Sequence, residues 1–242
     1  EKALRAADQL RDLVPDAGHL RHMASHIDVL CGHYYESLIA NERAMAADDE
    51  YFAREEDAVF YTLYRCHNIH FKLYSAMFLG QLKPALAAAK ALEEAVPERL
   101  LRVELPPMAD WLEGFLSMKV HALIRFGRWS EVLAEPFPSD PDLYCVTTAM
   151  LRYARGVAMA ATGDVAGAEA ERELFHQAVA RVPESRTVFN NTCQSILQVA
   201  SAMLDGELEY RKGNVDEAFA HLRRSVALDD ALPYDEPWAW MQ

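Results

Sequence analysis

Ala- and Leu-rich amphipathic stretches alternate along the chain with single glycines. Five segments share one plan: LCGHYYESLIANERAMAAD, FLGQLKPALAAAKALEEAVP, RFGRWSEVLAE, ATGDVAGAEAERELFHQAV and RKGNVDEAFAHLRRSVALDD. In each, a glycine ends one helix: Gly32, Gly80, Gly127, Gly163 and Gly213. A large or apolar residue follows two positions later (Tyr34, Leu82, Trp129, Val165, Val215), and a second helix begins. Glycine suits this place because it takes positive φ without a Cβ clash. The glycines are spaced by 48, 47, 36 and 50 residues. No sustained apolar–polar alternation bounded by hairpin turns occurs. The pattern predicts an all-α chain, with residues 1–242 forming a single array of about five helix–turn–helix repeats.

The composition fits that picture. Hydrophobic residues make up 51% and charged residues 25% of the 242, which is ordinary for a globular protein. Lys plus Arg is 24 against 37 for Asp plus Glu, a formal net charge of −13. That balance argues against a nucleic-acid partner, since phosphate contacts need a basic surface, and against an anionic membrane surface. No apolar run is long enough to span a bilayer. Cys31, Cys66, Cys145 and Cys193 are widely spaced with no C-x-x-C, which predicts free thiols and a cytoplasmic location. Both ends read as cut: ALRAADQLRDLVP as the second helix of a repeat, LPYDEPWAWMQ as the lead-in to another. Missing flanking repeats or a second chain are expected to cover them, because repeats bury their apolar faces against neighbours.

The candidate chemistry lies in the histidines. HLRHMASHI carries His19, His22 and His26, and RCHNIHF carries His67 and His70. At roughly 100° per residue, the first three share a stripe about 60° wide on a helix. His19 and His67 each stand thirteen residues before their repeat's glycine, His22 and His70 ten before, and His26 and His121 six before. His33, His176 and His221 fall outside this set and are expected at the surface. Neutral imidazoles gain little from being gathered, and protonated ones repel. A shared ligand explains the cluster better, and imidazole is the commonest metal ligand among side chains. An anion or substrate site built of histidines, or simply solvated polar groups, are the other readings. His19 and His22 follow the break Pro15–Gly18, near a helix N-terminus, where the dipole disfavours imidazolium. Metals need the unprotonated nitrogen. All-imidazole ligation suits a divalent transition metal such as copper, iron or zinc, and the sequence does not choose among them. Three histidines leave coordination positions open. Asn68, Tyr74 and Glu113 are candidate supporting residues, and no catalytic residue is assigned.

The glycine-punctuated hairpins resemble the tetratricopeptide repeat. The last copy carries Gly206, Gly213, Ala218 and Leu222 where that family has its small and packing residues. The resemblance covers nearly the whole chain and implies a right-handed α-solenoid whose first helices line a concave groove. It would place His19, His22, His26, His67, His70 and His121 on that groove, with Glu207 and Tyr210 near it. A narrower likeness rests on Gly18, His19, His22, Met23, His26 and Ile27, then Asn41-Glu42-Arg43-Ala44, then His67-Asn68 and His70-Phe71. These are similar to an uncharacterised, mostly bacterial group of tetratricopeptide proteins carrying H-x-x-H-M-x-x-H and H-N-x-H-F motifs. Cys66 departs from that group, which often has Pro there.

Three functions follow as expectations. The first is a metalloenzyme, oxidative or hydrolytic, with a small-molecule or peptide substrate in the groove. The second is a peptide-binding scaffold, and the third a metal used only to staple repeats together. No phosphate loop, nucleophile elbow, H-E-x-x-H or dinucleotide fingerprint is present.

Overall fold

A computed structural model describes residues 2–55 and 59–241. The chain is all-α, and it divides into two compact units, Glu1–Pro106 and Pro107–Gln242. In the first unit the helices are α1 (Leu4–Leu10), α2 (Gly18–His22), α3 (Ala24–Cys31), α4 (Tyr34–Phe52), α5 (Thr62–Phe78), α6 (Leu82–Ala95) and α7 (Glu98–Leu101). The second holds α8 (Met108–Leu112), a 3-10 turn (Glu113–Ser117), α9 (Met118–Arg125), α10 (Trp129–Ala134), α11 (Cys145–Ala161), α12 (Val165–Val179), α13 (Cys193–Lys212) and α14 (Val215–Asp230). A short antiparallel ladder, Thr187–Val188 against Asn191–Thr192, precedes α13. It is the one departure from all-helix among the described residues, and two-residue strands leave no alternating pattern to read.

All five predicted glycines have positive φ, from 62° at Gly127 to 92° at Gly163. Each ends its helix by the same pair of hydrogen bonds. At Gly32, its N–H donates to Val29 O (3.2 Å) and the next N–H, of His33, reaches back to Asp28 O (2.8 Å). At Gly213 the equivalents run to Tyr210 O and, from Asn214, to Glu209 O. This double closure satisfies the last carbonyls and turns the chain for an antiparallel partner. The resulting hairpins are α3–α4, α5–α6, α9–α10, α11–α12 and α13–α14.

Alanine and glycine at the interfaces let these helices approach closely. Ala76, Ala85 and Ala88 are fully buried in α5–α6, as are Ala154, Ala158 and Ala168 in α11–α12. At Gly206 a Cβ would lie 2.7 Å from the Leu222 side chain and 3.2 Å from the Ala218 carbonyl oxygen, so α14 packs against bare backbone. Other helix starts are capped. Asp164 accepts from Gly167 N and Thr192 from Ser195 N, as Ser, Thr and Asp caps do.

The phase glycines predict their own test. No Cβ clash with neighbours exists at Gly213, so Gly213→Ala isolates the backbone term. It should cost about 1–2 kcal/mol in urea unfolding, the penalty for a left-handed L-residue.

Candidate metal centre

HLRHMASHI does not form one straight helix. The Ser25 hydroxyl donates to the His22 carbonyl (2.6 Å), a back-bond that bends helices, and α2 gives way to α3 at Met23. Gly18 opens α2 directly on α4. A Cβ there would sit 2.0 Å from Asp48 Oδ1 and 2.7 Å from the Ala44 carbonyl oxygen. The glycine before His19 is therefore a close-approach residue, which lets α2 lie flat on α4.

On α4, a stripe of Ser37, Asn41 and Asp48 is completely buried. The spacings of four and seven put all three on one helix face. Each has a task. Ser37 and Ser75 share a hydroxyl–hydroxyl bond (2.7 Å). Asp48 accepts from Tyr61 OH (3.0 Å) and Asn68 Nδ2 (2.8 Å). Asn41 meets His22, with Oδ1 2.7 Å from Nδ1.

Three imidazoles converge above this stripe. His22 Nε2 lies 3.0 Å from His26 Nε2, which lies 3.5 Å from His67 Nε2. One nitrogen from each ring falls within 4.8 Å of the other two. Phe71, fully buried, closes one side with its ring 4.5 Å from His22, 4.7 Å from His26 and 5.0 Å from His67.

The hydrogen bonds decide the His22 tautomer. Asn41 Nδ2 donates to Ser37 O (2.8 Å), so Asn41 presents its oxygen to the ring. Ser25 spends its proton on the His22 carbonyl. Both groups facing His22 Nδ1 are then acceptors, and Nδ1 must carry the hydrogen. The lone pair is left on Nε2, aimed at His26 and His67. Protons alone serve this arrangement poorly. His26 can donate from Nε2 to His22, and the same N–H then faces His67. If His26 instead accepts from His67, two lone pairs meet at 3.0 Å. A cation satisfies all three nitrogens at once. An ion held at about 2.0–2.1 Å by imidazoles sets its nitrogens about 3.3 Å apart in a tetrahedron and about 3.5 Å apart in a trigonal plane. The His26–His67 separation of 3.5 Å equals the trigonal value, and the His22–His26 separation of 3.0 Å is somewhat shorter than either.

Electrostatics favours ligation. Burial pushes His22 and His67 far below the ordinary imidazole value, and neighbouring rings add to the effect. His19 is lowered by burial and by His26, against a hydrogen bond with Asn68 that raises it. These rings are neutral at physiological pH, the form that binds metals.

Each sequence candidate has its place. His19 is half-buried beside the triad, its ring 5.2 Å from His22, 6.0 Å from His67 and 4.5 Å from Tyr64. His70 is buried one turn beyond His67, outside the converging three. Asn68 joins the Asp48 network. Tyr74 packs with Tyr34 and Phe78, a helix-packing role. His121 belongs to the second unit, buried with its ring 5.0 Å from Trp240, which also meets Tyr153 at 5.4 Å. The tail residues Ala239, Trp240 and Met241 are all buried there. Glu113 caps α11, accepting from Val146 N (3.1 Å), Thr147 N (2.7 Å) and Thr147 Oγ1 (2.6 Å). Glu207 pairs with Arg211 (2.9 Å), and Tyr210 is exposed beneath the Arg211 guanidinium. Glu113, Glu207 and Tyr210 thus have structural or surface surroundings of their own within the second unit. His33 and His176 are exposed, and His221 is half-buried near Asp205. Asn41 and Ser25 were not expected in the site. A buried asparagine in ANERA was the one available signal, since asparagine on the apolar face of a helix asks for a partner.

Comparison with family models, curated proteins and solved structures finds no match for this chain.

Neutral buried imidazoles make stability pH-dependent. His121, in the second unit, is lowered by burial to about 3. Unfolded, it takes a proton near 6.5. Below that value the unfolded state binds more protons, so stability is full above pH 6.5 and falls as pH drops toward 3. The slope is about 1.4 kcal/mol per pH unit per imidazole. Urea midpoints between pH 7.5 and 5 should show the decline, and His121→Leu should make it shallower by that amount.

Proposed function

We propose that this chain is a transition-metal-binding protein of tetratricopeptide type, whose ion sits among His22, His26 and His67 with room for an exogenous ligand. The observation that carries the reading is the fixed His22 tautomer, which turns three imidazole nitrogens into one converging set. The glycine-closed hairpins support the tetratricopeptide assignment, with the repeats forming a right-handed solenoid. Three histidine nitrogens leave an ion further coordination positions, and half-buried His19 and Tyr64 lie next to the triad as the place for a fourth ligand. An open position is the mark of catalytic rather than structural metal sites. A bound metal would supply Lewis acidity, an activated water, or redox chemistry if it is copper or iron. The chain's own residues do the rest. Asn41 and Ser25 hold the His22 ring, Phe71 excludes water from one face, and the Asp48–Tyr61–Asn68 network fixes the helix carrying His67. Raw affinity at nitrogen sites favours copper, and cellular availability favours zinc or iron. The substrate class we infer is a small molecule or peptide reaching the ion from the His19 side.

A second reading has an observation of its own. In the second unit, Trp240 of the tail lies between His121 on α9 and Tyr153 on α11. An extended segment packed on these helices in this way supports the reading of a binding scaffold.

Elemental analysis of the purified full chain decides between them. About one transition-metal ion per chain is expected, and the His22→Gln/His67→Gln double variant should lose it while keeping helical circular dichroism. A metal-free protein after careful handling sinks the metal reading and leaves the scaffold. Loss of the helical signal together with the metal would make the ion a staple. Separately, Asn41→Leu should weaken metal affinity about 10–100-fold, as loss of a ligand-orienting partner does. Unchanged affinity would show that the ring needs no such orientation.

A further inference from the structure

The second unit holds a cavity of about 270 Å³ that the metal reading does not use. Its walls come from the C-terminal end of α14 and the segment after it. Asp229, Asp230 and Asp235 supply carboxylates, Tyr234 and Trp238 supply rings, and Asn191 reaches in from the short ladder. No basic residue lines it.

Four features of this cavity ask for the same kind of ligand. First, the Tyr234 and Trp238 rings stand 6.5 Å apart at 81°, an open aromatic corner. Ring faces set this way attract organic cations through their quadrupoles. Second, negative charge is concentrated here against its own interest. Asp229 and Asp230 end α14, where the helix dipole is already negative, and no basic residue stands in that last turn. Burial and neighbouring acids push the Asp229 and Asp235 carboxyls upward, a cost that a bound cation would relieve. Third, Asn191 is 1% exposed, and its Oδ1 makes no hydrogen bond. Its amide is oriented by Nδ2 donating to Pro233 O (3.1 Å), so the atom left over is an acceptor. A buried acceptor of this kind wants an N–H donor. Fourth, the walls are anchored. Asn190 N donates to Asp235 (3.2 Å) and Asn190 Nδ2 to Tyr234 O (3.1 Å), while Ala239 to Met241 are buried just beyond.

We propose that this cavity binds a small aliphatic ammonium ion that keeps N–H donors, such as a diamine. Trp238 and Tyr234 flank its alkylammonium group, Asp229 and Asp230 balance its charge, and Asn191 Oδ1 accepts one N–H. A quaternary ammonium would satisfy the rings and the charge and leave Asn191 unpaired. A metal ion would satisfy the carboxylates and gain nothing from the aromatic corner.

Calorimetric titration of the full chain with diaminobutane at physiological salt tests this. Saturable binding with a Kd of about 1 mM or tighter is expected. Trp238→Ala, a change at a partly exposed ring, should weaken it about tenfold. The Asp229→Asn/Asp230→Asn variant keeps the shape, removes the charge, and should weaken binding at least as much. Butanediol, the neutral analogue, should not bind, and tetramethylammonium should bind more weakly than the diamine. Circular dichroism of both variants confirms that they fold. The proposal is overturned by absence of saturable diamine binding to the wild type, or by binding that both variants retain. Equal binding of butanediol, or displacement of the diamine by calcium at lower concentration, also overturns it. So does binding of acetyl-lysine amide without diaminobutane, which would make the ligand a protein side chain.

Discussion

A buried imidazole has two nitrogens and both must be accounted for. In the first unit, the bond between His22 Nδ1 and Asn41 Oδ1 settles one and thereby commits the other. The commitment is inherited from further down. Asn41 is oriented by the Ser37 carbonyl, and Ser37 is tied to Ser75 on α5. The same face of α4 carries Asp48, which holds Tyr61 and Asn68, the residue after His67. One polar stripe on α4 therefore orients a ring from α2 and steadies the helix that brings a ring from α5. Gly18 lets α2 come close enough for this to work. Buried polar networks are costly when partly satisfied, and this one brings three Nε2 atoms face to face.

Most of the fold was legible because its punctuation is covalent. Positive φ after a helix is a property of the residue, so Gly32, Gly80, Gly127, Gly163 and Gly213 announce five turns without reference to any partner. The hairpins follow. The division near Pro106 was not legible, since the helical pattern on either side is alike and the chain reads as one array. The two-residue strands were missed for want of length.

The site was legible as a neighbourhood but not as a ligand set. Counting back from the glycines paired His22 with His70 and His19 with His67, as equivalent positions in successive repeats. The rings that converge, His22, His26 and His67, are not the phase-equivalent pairs. Helix axes pack about 8–10 Å apart, and ligating nitrogens must come within about 3.5 Å. Side chains close that gap only where one helix slides against the next. His67 therefore meets His22, three positions off the phase match, and His26 joins because it lies one helical turn past His22. Spacing within a helix is written in the sequence. The offset between helices is set by packing, here by Gly18, Ala44 and the Asn41 stripe, and it cannot be counted.

His121 shows what the same phase does in a different chemical setting. It shares with His26 the position six residues before a glycine. In the first unit that position is crowded with nitrogens that have lone pairs to place. In the second, the neighbours are aromatic: Trp240 edge-on at 5.0 Å, and Tyr153 beyond it. A ring edge offers the imidazole dispersion and a weakly polar contact, and it brings no further nitrogen with which to gather three. The tail that supplies Trp240 has a consequence outside this contact. Burying Ala239, Trp240 and Met241 immobilises the residues just before them, so Tyr234 and Trp238 keep their right-angle relation without being buried themselves. An exposed aromatic corner on an unanchored segment would pay its ordering entropy on binding. Built next to buried residues, it is set before any ligand arrives.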